Sequence, residues 1–324
     1  MKAVLLDADT LGDWQDPASS GGVDLSPVSQ LFDQFEIYGQ TEPSQVLARC
    51  ADCEVIITNK VVLDRALLEQ LPNLQVIQLT ATGMNNLDLN ACQDLNIQAL
   101  NVEDYSTYTV AQLTLQFMLN FATRTIEHDR LTKSGAWQAS RIFTLTNYPT
   151  IELANKNLVI IGQGNIGKKV AQLAQAFGMK VSFAQLPNRP VRTNQEPLMD
   201  AVQKADFISL HCPLSPETQQ LVDSEFLQQM KLSAYLINTA RGPIINETDL
   251  AKALQNKMIA GAALDVLSQE PPTADNPLLN KPLNNLVLTP HIAWASQEAK
   301  VRLIDKMATN LTDYLSNNNL PNRR

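Results

Sequence analysis

A chain of 324 residues is about twice a typical single-domain length, which points to two domains or one large α/β unit and excludes a scaffold held by disulfides or metal. Its hydrophobic fraction of 44% is that of a folding chain, and 12 Gly with 17 Pro are too few for a collagenous or linker-like polymer. With 25 Lys plus Arg against 33 Asp plus Glu, the net charge of −8 repels phosphate backbones and argues against nucleic acid as a main ligand.

The apolar run after Met1-Lys2 is too short for the core of a signal peptide and reads as a first strand. No uncharged apolar run reaches the ~18 residues of a membrane span, so a cytoplasmic protein without membrane contact is expected. In the first hundred residues, buried strands are expected over 3–6, 55–58, 76–79 and 97–100, with helices over 26–35, 43–49 and 64–70; such alternation implies a parallel sheet. A long helical pattern then runs over 107–133, with Val110, Leu113, Phe117, Met118 and Phe121 on one face, suited to core or to a partner. At Asn157 a second alternation begins, with strands expected over 158–161, 181–184, 207–210, 235–238, 259–264 and 286–289, before a last helix over 296–315. The fold class is therefore α/β, two doubly wound, Rossmann-like parallel-sheet domains.

Four cysteines in a chain this long fit a reducing compartment. Cys50-Ala-Asp-Cys53 would need a helix N-terminus to act as a redox pair, yet it follows the helix over 43–49, and two further ligands for a zinc site are missing. A packing role is expected, and no metal site.

Asn157-Leu-Val-Ile-Ile-Gly162-Gln-Gly164-Asn165-Ile166-Gly167 is a buried strand, a GxGxxG turn and the start of an amphipathic helix. In that context Gly162 makes the tight turn, Gly164 lets a pyrophosphate approach the backbone, Gly167 lets helix and strand pack, and the helix N-terminus offers N–H groups. NAD sites normally carry Asp or Glu about twenty residues on, to bind the ribose 2′-hydroxyl. Here the second strand ends in Gln185, and no Asp or Glu lies between Glu152 and Glu196. Either Arg189 and Arg192 pair with the 2′-phosphate of NADP, or Gln185 bonds an unphosphorylated ribose.

Hydride transfer to a carbonyl also needs a proton donor and a cation for an anionic substrate. Of three histidines, His128 reads as a solvated helix residue, while His211 and His291 each end a strand at a carboxyl edge, where open α/β sheets bind ligands. His211 lacks an obvious carboxylate partner; His291 is offered one by the segment holding Asp265 and Glu270. Arg241, after the strand over 235–238, can hold a carboxylate with paired N–H donors. Each alone reads as a structural strand-end residue; three consecutive strand ends beside a dinucleotide turn point to chemistry.

In order and nearly in full, Gly162-Gln-Gly-Asn-Ile-Gly167, His211-Cys212-Pro213-Leu-Ser-Pro-Glu-Thr218, Asn238-Thr239-Ala240-Arg241-Gly-Pro, Leu264-Asp265-Val with Glu270-Pro, and Thr289-Pro-His291-Ile-Ala293 resemble the D-2-hydroxyacid dehydrogenase family. The resemblance runs from Ala81-Thr82-Gly83-Met84 to about Glu298. It implies an NAD(P)-dependent enzyme with His291 as acid-base, Glu270 tuning it and Arg241 binding substrate. Asp265 and the backbone near Thr239 and Ala240 would hold the nicotinamide carboxamide, and Thr82, Gly83 and Met84 would offer N–H groups to the substrate carboxylate. A discontinuous, flavodoxin-like substrate domain (1–101 plus 292–324), a cofactor domain (102–291) and a homodimer are implied too. Asn59-Lys60 and Pro290-His-Ile-Ala-Trp-Ala-Ser296 look most like glycerate dehydrogenases, the hydroxypyruvate and glyoxylate reductases, with Lys60 at the substrate end or simply solvated. The expected function is reduction of a small 2-oxo acid such as hydroxypyruvate or glyoxylate, with NAD(H) or NADP(H). Alternatives are a dinucleotide-sensing protein, since the C-terminal-binding-protein corepressors resemble the same family, or a formate or phosphite dehydrogenase.

Overall fold

The computed structural model describes residues 1–190 and 194–317, which divide into two compact units, Met1–Ser106 with Ala295–Arg324, and Thr107–Trp294. The first unit holds strands β1 (Lys2–Leu5), β2 (Gln34–Ile37), β3 (Val55–Thr58), β4 (Val76–Leu79) and β5 (Gln98–Leu100), all parallel in the order β2-β1-β3-β4-β5. That is the flavodoxin-like order. Between the strands run the short helices α1 (Ser26–Ser29), α2 (Pro43–Cys50), α3 (Arg65–Leu68) and α4 (Leu89–Asp94). Asp64 and Asp88 cap the last two by accepting the N–H of Leu67 and Ala91. Every residue of β3 and β4 is buried, as a central parallel strand covered on both faces requires.

Three sequence expectations are corrected here and in the second unit. The helix over 26–35 stops after Ser29, and Gln34-Phe-Glu-Ile is a strand, because its backbone pairs in register with β1 from Lys2↔Gln34 to Leu5↔Ile37. The helix over 107–133 is two helices, α5 (Thr107–Thr123) and α6 (Thr125–Lys133), broken where Arg124 adopts φ +51. Val110, Phe117, Met118 and Phe121 are all buried, so this face of α5 is core of its own unit.

Among its described residues, the second unit carries seven parallel strands where six were expected: β6 (Asn157–Ile161), β7 (Lys180–Ala184), β8 (Gln195–Glu196), β9 (Phe207–Leu210), β10 (Tyr235–Asn238), β11 (Gly261–Leu264) and β12 (Leu286–Leu288). The two-residue β8 is too short to show a period. The order β12-β11-β10-β9-β6-β7-β8 reverses between β6 and β9. Helices α7 (Asn165–Ala176), α8 (Leu198–Lys204), α9 (Ser224–Gln229) and α10 (Glu247–Gln255) connect these strands, and α11 (Gln297–Asn317) returns to the first unit. Side chains alternate between two cores: Val159 and Ile161 of β6 join Ile208, Leu210 and Leu236 on one face, while Leu158 and Ile160 join Phe207, Tyr235 and Ile237 on the other. Tyr235 stacks there between Phe121 and Phe207, with ring centroids 4.5 and 5.2 Å away. Among the described residues, no helix is long and apolar enough to cross a membrane.

Cys50 and Cys53 are buried free thiols at the C-terminal end of α2, and burial pushes them up to about 12 and about 11, opposite to what a reactive pair requires.

Candidate active site

The glycine turn joins β6 to α7 at the switch point of the second sheet. Gly162 has φ +116, and a Cβ there would lie 2.4 Å from the His211 carbonyl carbon and oxygen. At Gly167 a Cβ would come within 2.1 Å of the Gly162 carbonyl oxygen, so helix and turn touch through backbone alone. Gly164 differs: nothing lies within 4 Å of the place its Cβ would take. Its carbonyl accepts the Lys168 N–H at 3.0 Å, which leaves the N–H groups of Asn165, Ile166 and Gly167 without an intrahelical partner. Gly164, at the N-cap position, has no side chain to cap them. Open space, unclaimed donors and the positive end of the α7 dipole fit a dinucleotide pyrophosphate.

After β7, Gln185 receives structure from both sides. Its N–H donates to the Glu196 carbonyl at 2.8 Å, and its side-chain amide donates to the Arg189 carbonyl, folding the loop back on itself. Arg189 is exposed, and its charge helps hold the Glu217 carboxyl below the usual range, after the larger effects of Ser215 and the backbone. Arg192 lies outside the described residues.

His211 follows β9. Its N–H donates to the Ile161 carbonyl at 2.7 Å, and its Nε2 meets the Ser209 hydroxyl at 2.8 Å, a partner two residues back on the same strand face. Desolvation lowers its pKa to about 3, so the imidazole is neutral at physiological pH. Cys212 is buried, with its thiol pushed up to about 11 by desolvation. The buried Thr218 hydroxyl donates to the Pro213 carbonyl at 2.7 Å and accepts the Ser215 N–H at 2.8 Å, so it shapes this loop.

The ends of β10, β11 and β12 are adjacent, and hydrogen bonds tie their loops together. Asn238, buried at the end of β10, donates to the Arg241 carbonyl and accepts the Ala240 N–H, both at 2.9 Å, which fixes the turn that carries Arg241. The neighbouring Thr239 hydroxyl pairs with that of Thr114 at 3.1 Å. Arg241 uses Nη1 on the Ala240 carbonyl at 2.7 Å. Gly242 abuts the loop after β11 so closely that a Cβ would sit 1.9 Å from the Leu267 carbonyl carbon. Leu267 in turn donates its N–H to Glu270 Oε1 at 2.9 Å, and Glu270 Oε2 meets His291 Nδ1 at 2.7 Å. The structure thus brings the three expected residues to one sheet edge through a continuous chain of contacts. Among the described residues, His291 bonds through Nδ1 and leaves Nε2 without a hydrogen-bond partner.

His291 has φ +54, a conformation the surrounding loop must enforce. Asp265 enforces it. Its carbonyl accepts the His291 N–H at 2.8 Å, while its buried carboxylate accepts the Thr289 hydroxyl at 2.5 Å and the N–H groups of Ile292 and Ala293 at 2.9 and 2.8 Å. Burial pushes this carboxyl up and the three donors pull it back, leaving a net rise. The carboxylate expected at the nicotinamide is thus also the clamp of the His291 loop.

The remaining candidates lie in the first unit, at the carboxyl edges of β3 and β4. The Lys60 N–H donates to Asp7 Oδ2 at 2.7 Å, and the Thr82 hydroxyl donates to the Val102 carbonyl at 2.8 Å. Gly83 follows Thr82 in the same irregular loop, and the Met84 side chain packs against the unit's own core. Sequence reasoning missed Asp7, Ser209 and Asn238. Ser209 was legible from the two-residue strand period, Asn238 from a polar residue closing an apolar strand, and Asp7 only from strand order.

A family model described as D-isomer specific 2-hydroxyacid dehydrogenase, NAD binding domain, matches residues 115–293. The chain is similar to a hydroxypyruvate reductase of Blautia hydrogenotrophica, 34% identical over 97% of each chain, and to a glycerate dehydrogenase of Methylorubrum extorquens, 36% identical over 87% of this chain and 90% of that one. Among solved structures it resembles an acyclic imino acid reductase in complex with NADPH and D-Arg, at TM-score 0.84 and 27% identity over 98% of both chains. The chain belongs to the D-isomer specific 2-hydroxyacid dehydrogenase family and is an NAD(P)-dependent oxidoreductase.

Proposed function

We propose that this protein reduces a small 2-oxo acid of the hydroxypyruvate or glyoxylate kind, with His291 as proton donor, Glu270 holding it and Arg241 binding the substrate carboxylate. The 2.7 Å contact between His291 Nδ1 and Glu270 Oε2, at the carboxyl edge of the dinucleotide-binding sheet, carries this reading. A carboxylate on Nδ1 keeps that nitrogen protonated and the ring oriented, so Nε2 exchanges the proton with the substrate oxygen. A bound nicotinamide dinucleotide supplies the hydride. Arg241 is pinned by its own turn through Nη1, and its other N–H donors suit a carboxylate. Gly162, Gly164, Asn165, Ile166 and Gly167 would hold the pyrophosphate, and His211, Cys212, Pro213, Thr218, Thr239, Ala240, Asp265 and Ala293 would line the rest of the cofactor site. The unit Met1–Ser106 with Ala295–Arg324 would be the substrate domain, through Lys60 and the loop of Thr82, Gly83 and Met84.

The missing carboxylate at Gln185 and the exposed Arg189 favour the 2′-phosphate of NADP. Ile142, Phe143 and Trp137, exposed by 63%, 89% and 52%, support a homodimer built through the segment after α6. Four free, buried cysteines suit a cytoplasmic location.

Initial rates with hydroxypyruvate, glyoxylate and pyruvate, each with NADH and NADPH, test the reading. Turnover of the first two is expected. His291→Gln should lower kcat by about 10³-fold while dinucleotide binding survives. Tight dinucleotide binding without turnover of any 2-oxo acid would point instead to a sensor, and turnover of formate alone to the third reading.

A further inference from the structure

Glu270 stands on an exposed loop. Over 268–275 every residue is exposed, and the side chains of His291 and Glu270 keep 28% and 31% of their surface in solvent. Packing alone therefore does not hold Glu270 Oε2 at 2.7 Å from His291 Nδ1. Within the loop the Leu267 N–H on Glu270 Oε1 does part of this at 2.9 Å, but Leu267 must itself be fixed.

Glu247 fixes it. It is the first residue of α10, a helix whose Leu250, Ala251, Ala253 and Leu254 are buried in the same core as Leu278. Glu247 Oε1 accepts the Ser268 N–H at 2.6 Å, and its Oε2 accepts the Asn276 side-chain amide at 2.8 Å. The two donors straddle Glu270 in the chain. Asn276 is anchored in turn: it is buried, and its Oδ1 accepts the N–H of buried Leu278 at 2.9 Å. Hydrogen bonds to an ionised carboxylate are roughly twice as strong as neutral ones, so this grip ties both ends of the loop to a packed helix. Gly242 meets the same stretch through its backbone, since a Cβ there would lie 1.9 Å from the Leu267 carbonyl carbon and 2.4 Å from the Ser268 nitrogen. Arg241, Gly242 and Glu247 all belong to the segment that runs from β10 into α10. One segment thus carries the substrate cation and braces the acid-base pair.

We propose that Glu247 is a positioning residue for proton transfer: by gripping the Glu270 loop at Ser268 and Asn276, it keeps Glu270 Oε2 on His291 Nδ1. This rests on the 2-oxo acid reductase reading. Supporting hydrogen bonds must hold a catalytic constellation within about 0.5 Å of its working geometry. A carboxylate that drifts from the imidazole is felt in the chemical step, so the phenotype falls on kcat and spares binding.

The polarity of the Glu247–Asn276 bond supplies the test, on the full-length protein, read as kcat and KM for hydroxypyruvate, NADPH affinity and melting temperature. Glu247→Gln still accepts the Ser268 N–H through Oε1 but sets a donor against the Asn276 amide. Asn276→Asp sets a carboxylate against a carboxylate while its Oδ1 keeps the Leu278 N–H. Each alone should lower kcat about tenfold, with KM within about twofold and NADPH affinity unchanged. Combining them exchanges donor and acceptor and remakes the bond, so kcat should return to within about threefold of wild type. In a Glu270→Gln background neither change should lower kcat further, because Glu247 acts through Glu270. Unchanged kcat in the single variants, even with a lowered melting temperature, would make Glu247 a brace of the fold alone and overturn the proposal. A combined loss equal to the product of the single losses, or a full loss on top of Glu270→Gln, would overturn it as well. If a single variant fails to fold, Glu247→Asp, which keeps the charge but draws it back by one methylene, replaces it: kcat must fall with KM held, and an unchanged kcat overturns the proposal. A wild-type protein that reduces no 2-oxo acid refutes the functional reading before any variant is compared, and the role of Glu247 with it.

Discussion

Replacing His211 with Gln should flatten the acid side of the protein's stability profile. Desolvation holds the native imidazole at about 3 against 6.5 for an ordinary histidine. The unfolded chain therefore takes up a proton below pH 6.5 that the native chain refuses, and unfolding free energy falls as pH falls through that window. The stabilisation is complete above pH 6.5 and is lost progressively down towards pH 3. From pH 7.5 to pH 5 the full linkage is ~2 kcal/mol, from ~1.4 kcal/mol per pH unit over the 1.5 units below 6.5. Part of the residue meets solvent, so screening trims the expected difference to ~1–2 kcal/mol. Gln keeps a polar group for Ser209 and cannot titrate. Urea unfolding of both proteins at pH 7.5 and pH 5, at constant m-value, gives the double difference directly. The wild type should lose ~1–2 kcal/mol more than the variant on acidification. Equal losses would mean that His211 protonates in place, and would refute the assignment of a neutral imidazole beside the glycine turn.

Other perturbations probe the same framework. Gly167→Ala places a Cβ 2.1 Å from the Gly162 carbonyl oxygen, so dinucleotide affinity by fluorescence titration should fall by at least about tenfold as helix and turn separate. Gly242→Ala meets the Leu267 backbone at 1.9 Å and should cost about 1–3 kcal/mol or more of stability, with activity falling alongside because Leu267 holds Glu270. At Asp206, burial raises the carboxyl pKa, but the Asn157 N–H at 2.8 Å and Lys231 at 2.9 Å outweigh it and leave it lowered. Asp206→Asn should therefore cost about 1–2 kcal/mol near neutral pH, a penalty that fades as acid protonates the wild-type group; equal penalties at pH 7 and pH 3 would contradict the shift. Arg189→Ala should weaken NADPH by about tenfold while sparing NADH; equal losses for both would remove Arg189 from the 2′-phosphate.

What the sequence determined by itself is what short-range physics records. Short continuous apolar runs specified the central strands, since a strand buried on both faces must be apolar on both. The glycine spacing specified the dinucleotide turn, because positive φ at Gly162 and backbone contact at Gly167 admit no side chain. Arg241, Glu270 and His291 were visible as polar residues ending apolar strands. Tertiary structure decided the rest. Gln34-Phe-Glu-Ile became a strand only because β1 offered it an unpaired edge, against a local helical pattern, and Arg124 broke a helix that periodicity alone would have continued. Asp7 and Asp265, single acidic residues in loops, became clamps because strand order set each beside backbone donors 27 to 53 positions away. Such pairings follow from which strands are neighbours, and long-range neighbour relations leave no period in the sequence to read.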